Sequence, residues 1–214
     1  MIKITFEFWG LTLMEPMALI TNWLLTFQAL YFFLNRPKDN TSTFDRFWAM
    51  FFLFFAVSTF FGGLSHFFFY YTALQGKIPG WSAAVISITF IELATATQLP
   101  DKWSKKLYSI IAVKFIVAIA ILIFDLDFKW VMVHTGSGLI LILGFWALAA
   151  HLKGHPSSRY FLWGILAAIA PLPIRALGFD LHEWFNRDDL SHVFMMVTVF
   201  LFQKGVKYNP QPTR

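Results

Sequence analysis

The chain has 214 residues, of which 57% are hydrophobic, 20% aromatic and only 14% charged, with a formal net charge of +5. A soluble domain carries roughly 25% charged and about 45–50% apolar residues, so the missing charge excludes an ordinary water-soluble fold and points to lipid as the solvent. There is no cysteine, which excludes disulfides, thiolate metal sites and cysteine nucleophiles. The basic residues sit in short loops between apolar runs, where they act as topology determinants and give no nucleic-acid face.

The N-terminal segment MIKITFEFWGLTLMEP combines Lys3 with Glu7 and Glu15 and has no small-residue cleavage site, so no signal peptide is expected. Apolar windows of about 20 residues then predict spans at 15–35, 47–72, 80–99, 106–125, 129–150, 159–178 and 189–205. Breakers and charges separate them: Asn-Arg-Pro-Lys-Asp-Asn at 35–40, Gln-Gly-Lys-Ile-Pro-Gly at 75–80, Pro-Asp-Lys at 100–102, Asp125–Asp127, and Lys-Gly-His-Pro-Ser-Ser at 153–158. The expected fold is all-α: one seven-transmembrane-helix bundle over 1–214, without internal repeats.

Arg36, Lys38, Arg46, Lys102, Lys105, Lys106, Lys153, Arg159, Lys204, Lys207 and Arg214 fall on one side of this bundle. Lys3, Lys77, Lys129 and Arg187 fall on the other. Basic residues concentrate in the cytoplasm, so the tail is expected inside and the N-terminus outside. A bacterial cytoplasmic membrane is the expected location.

Ionisable residues inside spans are costly and mark function by default. At about 1.5 Å of rise per residue, His66 lies roughly 9 Å, His134 roughly 8 Å and His192 roughly 5 Å below the outer surface. Asp188 and Asp189 precede His192 by four and three residues, so at least one shares its helical face. Imidazole and carboxylate are the ligands of catalytic zinc. His66, His192, His134 and Asp189 are therefore the candidate metal ligands; the alternative is three separate interfacial histidines, each bonded to a backbone carbonyl.

Glu92 and Lys114 fall roughly 10–12 Å from the cytoplasmic boundary on sequential helices, which usually pack side by side. They are expected to form a structural ion pair. Ser58, Gly62 and His66 recur at spacings of four on span two, where small residues admit a neighbouring helix or a ligand. Pro171 and Pro173 should break the sixth span, and Arg175 after them is expected to pair with Asp180, Asp188 or Asp189. His151 and His155 read as solvated loop residues. Lys204 lies at the end of the last span, which excludes a mid-span Schiff-base lysine of the rhodopsin kind.

The stretch Phe-Asn-Arg-Asp-Asp-Leu-Ser-His-Val at 185–193, with Ser65–His66 late in span two, resembles the CREST superfamily of seven-helix membrane hydrolases. That superfamily includes the alkaline ceramidases and the adiponectin-receptor-like proteins. The resemblance implies zinc held by His66 and His192 in a distant, divergent member. The family's first helix-seven histidine, four residues before the position of His192, is replaced here by Asp188, its helix-two serine by Gly62, and span three offers only Glu92 in place of an aspartate. The activity so implied is that of a zinc-dependent hydrolase acting on a lipid amide or ester that enters from the outer leaflet. Asp188 or Asp189 would be ligand or general base, Ser65 or Ser58 would hold water or oxyanion, and Gly62 would leave room for substrate. The competing expectations are a non-enzymatic sensor, scaffold or partner subunit, and a transporter using Glu92 and Lys114.

Overall fold

The computed structural model describes residues 4–36 and 42–209. Lys3, Lys38 and Arg214 of the basic-residue count, and most of the 35–40 connector, lie outside the described residues.

The chain enters through an antiparallel hairpin, β1 (Thr5–Phe8) and β2 (Leu11–Met14), with Phe8 opposite Leu11. Its two turn residues, Trp9 at φ 51° and Gly10 at φ 75°, are both left-handed. That turn matches the natural twist of paired strands. The alternation Thr-Phe-Glu-Phe before Trp-Gly was a strand signal that span-length windows pass over.

Helices come in the order α1 (Pro16–Leu34), α2 (Thr43–Phe67), a short α3 (Phe69–Thr72), a 3-10 turn at Gln75–Lys77, and α4 (Ile78–Ala96). After these come α5 (Asp101–Phe124), α6 (Phe128–Gly136), a π-helical stretch Ser137–Gly144, α7 (Phe145–Leu152), α8 (Ser158–Ile169), α9 (Pro171–Leu177) and α10 (Arg187–Lys207). Among the described residues, six helical segments are long and apolar enough to cross a membrane: 16–34, 43–67, 75–96, 101–124, 128–152 and 158–177. The seventh expected span coincides with α10, which is long enough at 21 residues but carries charged residues at both ends and a lower mean hydropathy.

Local chemistry sets the boundaries. Ser42 and Asp45 form a reciprocal capping box that starts α2 four residues before the expected position. Asn186 and Asp189 do the same for α10. Span two ends at Phe67, five residues short of the expected boundary, because the chain bends at Phe68 into α3. Pro171 and Pro173 interrupt the sixth span at Ala170, between α8 and α9.

Six members of the bundle form a closed ring: α1 packs on α2, α2 on α4, α4 on the π-helical stretch, that stretch on α8, α8 on α10, and α10 on α1. Helix α5 lies outside the ring, against α4 and α6. Aromatic side chains fill the middle. Trp48 is fully buried, with the rings of Phe44, Phe51, Phe52, Phe161 and Phe202 within 5.3–6.2 Å of its own. Glycines face these large rings: a Cβ on Gly164 would come within 2.5 Å of Phe202, and one on Gly205 within 2.8 Å of Phe161.

Candidate functional site

The end of the bundle that holds the start of α1 and the start of α10 gathers polar side chains from the segment before α1, from α1, α2, the 3-10 turn and α10. His66, in the last turn of α2, binds Glu15 through Nδ1 at 2.8 Å. Its Nε2 lies 3.2 Å from the Lys77 ammonium. Since Lys has donors and no acceptor, Lys77 donates and His66 Nε2 accepts. His192, one turn into α10, contacts Thr21 Oγ1 through Nδ1 at 2.7 Å, and its Nε2 lies 3.4 Å from the Asn22 amide. The two halves lie close enough to act on each other: the charge of Lys77 bears on His192, and that of Glu15 bears on Asp189.

Asp189 is 1% exposed. Its Oδ2 accepts the Asn186 backbone N–H at 3.0 Å and the Thr21 hydroxyl lies beside the carboxylate, while Oδ1 is buried without a well-formed hydrogen bond. Beside it opens a cavity of about 310 Å³ lined by Glu15, Asp180, His182, Glu183, Asn186 and Asp189 among others. The loop over this cavity is fastened by ion pairs. Arg187 grips Asp180 through Nε and Nη2 at 2.9 and 2.8 Å and holds its carboxyl down to about 2. Arg175 binds Asp188 at 2.8 Å.

Zinc does not fit this arrangement as it stands. A zinc ligand offers the metal a lone pair, and the His66 Nε2 lone pair faces an ammonium. Both nitrogens of His192 also have protein neighbours. Among the described residues, no three His, Asp or Glu side chains are grouped to hold a metal ion. Lys77 supplies positive charge at the histidine that the resemblance gives to zinc.

The remaining expected site residues separate. His134 does not join His66 and His192: its Nε2 lies 3.2 Å from Val85 O and 3.4 Å from Thr89 Oγ1 on α4. Its carbonyl accepts from Lys114 Nζ at 2.9 Å. Equal depth placed it in the outer layer, and the ring order puts it on α4 and α5 instead. Lys114 and Glu92 are paired side chain to side chain, with Glu92 fully buried. Asp188 is engaged by Arg175. Ser65 spends its hydroxyl on Gly62 O at 2.8 Å. Ser58 belongs to a close helix crossing, where a Cβ on Gly80 would come within 3.1 Å of Ser58 O and 3.2 Å of Gly62 N. Gly62 leaves no room for substrate, because a Cβ there would already meet Asn22 Oδ1 at 3.1 Å. The Asn22 amide fills the space in which the resemblance expects a serine hydroxyl.

Glu15, Thr21, Asn22 and Lys77 were not singled out from the sequence. One signal was present: Thr21, Asn22, Thr26 and Gln28 are four polar residues inside an otherwise apolar first span, and such residues mark function by default. Glu15 and Lys77 carried none, since charges beside a span ordinarily report only its boundary.

No curated protein and no solved structure matches the chain. A family model covers residues 17–211, from the first helix to beyond the last, and so includes Thr21, Asn22, His66, Lys77, Asp189 and His192. The chain belongs to that family, a family of unknown function (DUF6962).

Proposed function

We propose that this chain is a seven-span membrane protein that recognises an amino-bearing lipid head group at its outer polar cluster, without a metal. The seventh span in this reading is α10, whose apolar middle is flanked by acidic residues at one end and Lys204 and Lys207 at the other. The distribution of basic residues puts the tail in the cytoplasm and the cluster in the outer leaflet. Reporter fusions are expected to place the 151–159 loop and the tail inside. A tail found outside would move the cluster to the inner leaflet.

The single observation that carries the ligand class is Asp189 Oδ1, a buried carboxylate oxygen without a well-formed hydrogen bond at a cavity with further acidic groups. A buried polar atom without such a bond is costly, and an ammonium from a lipid head group satisfies it with a charge-assisted bond. The size of the cavity suits a head group, with the acyl chains left in the bilayer.

A second reading, a metal-dependent lipid amide or ester hydrolase, is favoured by one observation: His66 on α2 and His192 on α10 both bond to residues at the start of α1, Glu15 and Thr21. One set of measurements separates the two. In nanodiscs, phosphatidylethanolamine is expected to raise the melting temperature of the protein above its value in phosphatidylcholine, and Asp189→Asn to abolish the difference. The purified protein is expected to hold no stoichiometric zinc, and Lys77→Met to bind more zinc than the parent, since it uncovers His66 Nε2. One zinc per chain in the parent, lost in His66→Ala, would replace the recognition reading with the hydrolase.

A further inference from the structure

The seam between α5 and α6 contains a cleft of about 670 Å³, within the roughly 300–1,000 Å³ range of small-molecule sites. Its walls include Ile110, Val113, Val117, Ile121, Trp130 and Val133, and Lys114, His134, Ser109 and Ser137 supply its polar groups. Because α5 stands outside the ring, the cleft is bordered by side chains such as Val113 and Val133 that face the lipid.

Its polar floor has an incomplete hydrogen-bond account. Thr89 donates its hydroxyl to Val85 O at 2.9 Å, so towards His134 it can only accept. Val85 O is an acceptor as well, and both surround His134 Nε2. The network therefore assigns the proton to Nε2, which leaves Nδ1 as a lone-pair acceptor. His134 is 3% exposed and Nδ1 has no partner. Lys114 uses two of its three N–H groups, on Glu92 and on His134 O, and its third has no partner among the described residues. The site thus presents one acceptor and one donor. The charge of Lys114 is already matched by Glu92, so a bound anion would add an uncompensated buried charge.

We propose that this cleft binds a membrane-dissolved lipid alcohol whose hydroxyl donates to His134 Nδ1 and accepts from Lys114. A hydroxyl is the smallest neutral group that both gives and takes a hydrogen bond. The aliphatic walls receive the body of the molecule. The π-helical stretch that begins at Ser137 supports the assignment, because such wide turns are frequent at functional sites. The ligand enters sideways from the bilayer and does not involve the outer cluster.

A long-chain alcohol carrying a diazirine in its chain tests this on the full-length protein in nanodiscs. Irradiation is expected to label the 109–121 and 130–137 segments, with competition by hexadecanol. The methyl ether of the same probe cannot donate, and is expected to label at least tenfold less. Val117→Trp fills the cleft from its lipid face without touching the ion pair, so it should fold as the parent does and lose the labelling. Lys114→Met is expected to lose it too. Equal labelling by the ether, stronger labelling by the corresponding carboxylic acid, or full labelling of Val117→Trp would overturn the proposal.

Discussion

Replacing Lys114 with Met is expected to cost more stability than any other single change on the polar side of the bundle. Glu92 is fully buried, whereas the Lys114 side chain is 20% exposed. Removing the lysine strands a carboxylate that has nowhere to hydrate, and it also deprives His134 O of a donor. Breaking a buried pair in this way costs about 3–5 kcal/mol. Glu92→Gln strands the more accessible partner and leaves an amide oxygen that still accepts, so its loss should be smaller. The double variant should regain much of the difference, since two neutral groups need no counter-charge. Unfolding in a mild detergent titrated with a denaturing one measures all three. Additive losses in that cycle would show that the two residues do not interact.

Trp48→Ala is the second large expectation. In lipid, apolar surface gains little by moving from bilayer to core, because both are apolar. What Trp48 contributes is filled volume among five rings, and a large-to-small change at such a site costs about 3–5 kcal/mol when the void cannot collapse. Collapse is opposed here because Phe161 and Phe202 already press against Gly205 and Gly164. Trp48→Phe should cost far less. It leaves a smaller void and removes the indole N–H, which is buried without an acceptor. Comparable destabilisation by Phe and Ala would mean that the indole nitrogen has a function the ring packing does not explain.

The sequence showed the helices well and their neighbours poorly. Each of the seven apolar windows coincides with a helical segment, because a run of about 20 apolar residues constrains both position and length. Equal depth on consecutive helices also put Glu92 and Lys114 in one layer, and their side chains meet. The same depth rule misplaced His134, since depth gives one coordinate of three. The lateral order of helices around the ring is decided by side-chain shape, such as the approach of Gly80 to Gly62, and no periodicity shows it. Lys77 escaped notice for a related reason: a loop lysine counts towards orientation in every topology argument, and only the bend after Phe67 brings it back over His66. The hairpin at residues 5–14 escaped because helical windows average out a period of two.

The π-helical stretch has a consequence for how the chain tolerates length changes. A wide turn contains about one residue more than an α-helix of the same rise, and one residue is a phase of about 100°. The downstream half, α7, is therefore rotated relative to the upstream half, α6, and it is this rotation that presents Ala147 and Ala150 to the interior while Gly138 makes way for Glu92. Deleting one residue between 137 and 144 is therefore expected to straighten the segment into an α-helix while α7 keeps its face to its neighbours, whereas the same deletion within α6 or α7 would swing everything beyond it by about 100°. In a helix of uniform pitch an indel shifts everything beyond it; here the surplus residue marks the one place in the fifth span where the numbering of the chain and the geometry of the bundle are reconciled.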